Sequence, residues 1–236
     1  MIYHVLPGDA QVEDFRQTGL PGELLVCREA LIEGDNGGDT LDEFFNNRAA
    51  LHGESRSNYD GNVASQFNRL VKVDASDEVN LWFEYELFCA VNMWFCLSLL
   101  RDSDADIYRV APVHLSFEDR WDGFGNTNPE ILKTCYAGRV KLSKSDIELG
   151  AELWNAFRRR DIDELSRLSS LPQSTFPYLH EVGRAAADLD TRPLEIVREI
   201  KCEGKHDLKE IFSEFRRRAG VYAGVCLSII YAVISM

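Results

Sequence analysis

Seven residues in the first 84 have types and spacing suited to a polar site: His4, Gly8, Asp9, Arg28, Glu29, Trp82 and Glu84. Carboxylates can move protons or hold divalent cations. An arginine presents a planar cation to carboxylate or phosphate, and an imidazole exchanges a proton near neutral pH. Each of the seven stands within or just after a short apolar run. His4 lies in "YHVL", which stops at Pro7-Gly8-Asp9. Arg28 and Glu29 follow the apolar half of "ELLVCREAL". Trp82 and Glu84 close "VNLWFE", with Glu86 two residues on, and His114 follows "DIYRVAPV". If the runs are parallel strands, their carboxyl ends form one rim, and ligands of open α/β sheets bind outside that rim near a switch in strand order. The expectation is a small-ligand site there. If it is catalytic, hydrolysis or transfer with carboxylate acid–base help is the least forced chemistry.

Every one of these residues also has a plain structural reading. Asp9 suits the N-cap of the first helix, where its charge meets the helix dipole. Arg28 and Glu29 are neighbours, so on a continuing strand they point to opposite faces. Arg28 then has a buried carboxylate such as Glu84 as a ready partner. His4 shares a face with Ile2 and Leu6 and reads as a core histidine, and Trp82 reads as packing. A divalent metal on Asp9, Glu29 and Glu84, helped by His4 or His114, requires those carboxylates within a few Å of one another. The loop "EGDNGGD" lacks calcium-loop spacing. No GxGxxG, Walker loop, GxSxG or HExxH is present, so the sequence specifies no cofactor.

The elements that must position these residues follow from the hydrophobic pattern. Runs at 3–6, 23–31, 79–84 and 106–113 read as buried strands. "QVEDFRQTG" reads as a helix from Asp9 to Gly19, and Thr40 caps "LDEFFNNRAALHG". "YELFCAVNMWFCLSLLR" is apolar nearly all round and reads as a buried helix. Alternating strands and helices predict parallel βαβ units. After residue 117 all the periodic stretches are helical. The predicted architecture is therefore α/β: a parallel three- to four-stranded sheet with flanking helices over 1–117, then an all-helical domain over 118–236. "EDRWDGFGNTNPE" is the linker candidate.

The net charge is −13, and it all falls in the first half, where 21 acidic residues meet 8 basic ones before position 119. Such a surface repels phosphate backbones, which makes nucleic acid an unlikely partner and favours a small molecule or a protein. A helix-turn-helix within the last helices is a rival reading, but its third helix would be the uncharged "VYAGVCLSIIYAVI". The same apolar stretch is short for a membrane span, so a buried closing helix is expected over a tail anchor. The six cysteines form no CxxC pair and read as free thiols in a reducing cytosol. The start turns polar too early for a signal peptide.

Taken in order, several stretches resemble the bacterial family called domain of unknown function 1835 (DUF1835). They are the strand with His4 before Gly8-Asp9, "PGELLVCREALIEGD" with Arg28 and Glu29, "LDEFFNNRAA" with Arg48, "LWFEYELF" with Trp82, Glu84 and Glu86, "GFGNTNPEILKTCYAGRV", and "GAELWNAF". Family members usually carry His-Asp where this chain has Tyr85-Glu86, and Asp-Gln where it has Cys89-Ala90. The resemblance implies an architecture and no established activity. A non-catalytic interaction module built on the helical part is the alternative function, and a DNA-associated regulator the third.

Overall fold

The computed structural model describes residues 1–113, 116–172 and 174–225. Its centre is a five-stranded sheet in the order β2-β1-β3-β4-β5. The strands are β1 (Ile2–Leu6), β2 (Glu23–Val26), β3 (Glu78–Trp82), β4 (Asp106–Val110) and β5 (Val140–Lys141). The first four are parallel, with Tyr3 opposite Glu23 on one side and Val79 on the other, and Leu81 opposite Arg109. β5 adds an antiparallel edge beyond the expected three or four strands. It comes from past residue 117, as does α6 (Pro129–Ala137) beside it, so the sheet draws on both sides of the expected domain boundary.

The two faces of the sheet bury different sets, as strand alternation requires. Tyr3, Val5, Val79, Leu81 and Ile107 face the larger core, under α2 (Leu41–Leu51), α4 (Ser65–Leu70) and α5 (Leu87–Leu99). Leu6, Trp82 and Val110 face a smaller one closed by α1 (Val12–Thr18) and α6 through Phe15, Leu132 and Cys135. The buried helix read from "YELFCAVNMWFCLSLLR" is α5. Ten of its residues are buried because the sheet lies on one side and α7 (Lys144–Arg158) on the other. A layer of helices follows α7: α8 (Ile162–Ser169), α9 (Leu179–Ala187), α10 (Arg192–Cys202) and α11 (Leu208–Ala219).

Local signals act as their chemistry dictates. Thr40 accepts from the Glu43 amide while Glu43 reaches back to the Thr40 amide, a complete capping box for α2. α1 stops at Gly19. Asp9 does not cap it: Gln11 stands at that position, and the Asp9 carboxylate turns to Arg28. Between α3 (Arg56–Tyr59) and α4 the backbone widens into a π turn over Asp60–Ala64. Among the described residues, five cysteines are free, and four of them are buried. No described helix is long and apolar enough to cross a membrane. The apolar stretch "VYAGVCLSIIYAVI" lies outside the described residues from position 226 on.

Candidate functional site

β1 pairs with β2 on one side and β3 on the other, so the order reverses between β1 and β3. The rim at that point holds the segments after Leu6, Val26, Trp82 and Val110. The expected site residues are all here or just behind, but they resolve into four separate groups rather than one pocket.

His4 and Trp82 form the first group. The Trp82 Nε1–H donates to His4 Nδ1 at 3.1 Å, and His4 Nε2 lies 3.1 Å from the Pro21 carbonyl. An indole nitrogen only donates and a carbonyl only accepts, so the ring is the neutral Nε2–H tautomer with both nitrogens satisfied. Burial lowers its pKa, and the Pro21 bond only partly opposes that. Phe15 and Tyr136 pack on the imidazole at 4.8 and 5.5 Å. Gly22 lets the chain pass at φ +137°, where a Cβ would stand 2.8 Å from the Ile2 carbonyl. His4 and Trp82 are core residues.

Asp9 and Arg28 form the second. Arg28 Nε and Nη2 both donate to the Asp9 carboxylate at 2.8 Å, and Nη1 donates to the Asn62 carbonyl at 2.9 Å. The Arg28 bond holds the Asp9 carboxyl below the usual range. Asp9 is 61% exposed, so the pair is a surface clasp between the ends of β1 and β2. Gly8 is extended, with open space where a Cβ would be, so its backbone makes no demand for glycine.

Glu29 belongs to a third group that closes on itself. β2 ends at Val26, so alternation no longer governs, and Glu29 turns inward. Its carboxylate accepts from Arg48 Nη2 and from the Tyr59 hydroxyl, both at 2.5 Å, and from His52 at 3.3 Å. Arg48 is fully buried and also donates to the Ala30 and Glu33 carbonyls and to Asn36. Burial pushes the Glu29 pKa up, and the bonds from Arg48, Tyr59 and His52 bring it below the ordinary value. This network pins the chain after β2 and leaves no site open.

Glu84 supplies the fourth group. Its Oε1 accepts from the Phe124 amide at 2.7 Å, and a side chain at Gly123 would run into its carboxyl. Glu86 caps α5, accepting from Cys89 and Phe88 amides at 2.7 and 2.8 Å and from Gly224 at 3.3 Å. Burial raises the pKa of Glu84 and pushes that of Glu86 up to about 7. Glu84, Glu86 and Cys89 are the one set among the described residues close enough to hold a metal, with ligand atoms within 4.8 Å. Backbone amides already occupy three of the four carboxylate oxygens. The expected metal set is not assembled: Asp9 is clasped to Arg28 and Glu29 to Arg48. His114 lies outside the described residues.

An unexpected residue stands out on the same rim. Arg109, next to last in β4, is only 6% exposed and has no carboxylate partner among the described residues. Its Nη1 donates to the Thr175 carbonyl at 2.9 Å, and its Nε is buried with no acceptor. The guanidinium lies 4.4 Å from the Tyr85 ring centre and 5.8 Å from that of Phe176. Burial lowers its pKa to about 10. The buried Arg48 is paired with the Glu29 carboxylate, whereas Arg109 has only the Thr175 carbonyl and aromatic faces among the described residues.

Arg109 lines two cavities. An inner hole of about 20 Å³ reaches Glu84, Met93 and Trp94. An outer cleft of about 390 Å³ opens between the end of β4, the turn before β5 and the segment leading into α9. Tyr85 and Tyr178 line both, so they and Arg109 form the wall between hole and cleft. No family model matches this chain, and neither a curated protein nor a solved structure matches it. The sequence signal for this site was an arginine inside "DIYRVAPV", a run otherwise apolar enough to be covered on both faces.

Proposed function

We propose that this protein binds a small anionic molecule in the cleft at the carboxyl end of β4, with Arg109 as the anchor. The observation that carries the reading is a buried guanidinium, without a counter-charge among the described residues, on the wall of a cleft of about 390 Å³. Sites for small ligands have volumes of a few hundred Å³ and a few convergent polar groups on mainly apolar walls. The carboxyl rim of an α/β sheet is where such sites recur. An uncompensated buried cation costs several kcal/mol, which an anion entering the cleft would offset.

The test is a thermal-shift titration of the full chain with acetate, benzoate, inorganic phosphate and phenyl phosphate. At least one raises the melting temperature of the wild type, since a ligand preferring the folded state stabilises it. That shift is lost in Arg109→Met. It is also lost in Val113→Trp, which narrows the mouth of the cleft at an exposed position and leaves the anchor in place. No shift with any anion, or equal shifts in all three proteins, overturns the reading.

A further inference from the structure

The composition of the cleft sorts anions by charge and shape. Arg109 is the single cation among its described lining residues. Ala111, Pro112, Val113, Val140 and Pro177 make its apolar walls, and Tyr85 and Tyr178 add aromatic faces. Besides these rings, the described lining offers only Ser174 and Thr175 as hydroxyl donors. A phosphate monoester brings a charge of about −1.5 to −2 and three strong acceptor oxygens. Protein sites meet that with several cations or with amides at a helix N-terminus. This cleft has a single cation among its described lining residues, and of α9 only the N-cap residue Tyr178 lines it; the first-turn residues Leu179, His180 and Glu181 do not. A carboxylate brings one charge on a planar group of two oxygens, which matches one guanidinium edge. Nη1 already serves the Thr175 carbonyl, and Nε is buried without an acceptor among the described residues. The stacking of Arg109 on Tyr85 holds the guanidinium plane in place.

We infer that the ligand is a monocarboxylate on an apolar body, of the size of a phenylalkanoate: the carboxylate meets Arg109, and the body lies against Pro112, Val113, Val140 and the two tyrosines. This rests on the small-anion reading of the same cleft and narrows it. A neutral isostere loses the charge-assisted bond and leaves the guanidinium unpaired. A phosphate carries charge that the lining cannot match.

Isothermal titration of the full chain with four probes separates the cases. 3-Phenylpropionate stands for a free acid, N-acetylphenylalanine for the terminal carboxylate of a peptide, 3-phenylpropionamide for the uncharged isostere and phenyl phosphate for the dianion. One of the two carboxylates binds at least tenfold more tightly than both the amide and the phosphate, and whichever is tighter names the source. Arg109→Met removes the preference for acid over amide, and Val113→Trp weakens all binding. Phenyl phosphate binding more tightly than either carboxylate overturns this inference and leaves the small-anion reading standing. No anion binding, or the amide binding as tightly as every anion in the wild type, overturns both.

Discussion

The guanidinium of Arg109 lies 4.4 Å over the ring of Tyr85, and its one bonded acceptor among the described residues is a carbonyl 66 residues further along the chain. Tyr85 follows the end of β3 and Arg109 nearly ends β4, so adjacent parallel strands deliver the pair to the same rim. The arrangement orients a cation and gives it no counter-charge among the described residues.

That arrangement predicts a stability effect of unusual sign. Burial lowers the Arg109 pKa from its ordinary value to about 10, which corresponds to a cost on the order of 3 kcal/mol for keeping the charge buried. Arg109→Met removes the charge, keeps much of the packing and forfeits one hydrogen bond of about 1 kcal/mol. The ligand-free variant therefore melts above the wild type, by roughly 4–8 °C. Differential scanning calorimetry measures it. A variant that melts several degrees lower would make Arg109 a structural residue.

Glu29 and Arg48 behave in the opposite way. Both side chains are fully buried and fully bonded, so removing one strands the other. Arg48→Met costs about 3–5 kcal/mol. The double variant Glu29→Met with Arg48→Met costs less than the sum of the two single changes, because neither charge is left behind. The exposed Asp9–Arg28 pair makes the control, and Arg28→Ala costs less than about 1 kcal/mol. Urea unfolding followed by tryptophan fluorescence reads all four. Equal costs for the Arg28 and Arg48 changes would contradict the burial argument.

His4 must stay neutral to hold both Trp82 and Pro21. Its lowered pKa means that the unfolded chain takes up a proton before the folded one does as pH falls below about 6.5. The His4 contribution is therefore lost on acidification. His4→Gln flattens the loss of stability between about pH 6.5 and 5, and Trp82→Phe costs about 2–4 kcal/mol through lost packing and an orphaned Nδ1. Melting temperatures across that pH range check both. An unchanged acid slope in His4→Gln would place the titration elsewhere.

The elements were legible because their signals are local. Thr40 with Glu43 three residues on announces a helix start, and consecutive apolar residues such as Leu24–Val26 announce a strand covered on both faces. The site was less legible because it depends on which distant segments meet. Asp9 looks like a cap until Arg28 arrives from the end of β2 and takes its carboxylate. Glu29 looks like a rim residue until Arg48 and Tyr59 fold over it. Arg109 stands in a run that reads as covered on both faces, but no spacing within "DIYRVAPV" tells that residues 174–178 are what close across it.

Glu86 joins two distant parts of the chain through a group that titrates near neutrality. One oxygen serves the Cys89 amide, and the other serves Phe88 and, 138 residues away, Gly224. The loss of solvent opposes its charge, with a smaller push from the Glu84 carboxyl beside it, and its pKa rises from 4.5 to about 7. Folded protein then holds this proton over a pH range in which unfolded protein has released it. With more protons bound in the folded state, stability falls as pH rises from about 4.5 and levels off above about 7. The shift corresponds to about 3 kcal/mol. Glu86→Gln keeps one acceptor for the α5 amides and cannot ionise, so the difference in unfolding free energy between wild type and variant changes by about that amount from pH 4.5 to 8. The His4 contribution cancels in this difference, since both proteins carry it. A difference that stays constant across the range would show that Glu86 is charged throughout and that its amide donors outweigh its burial.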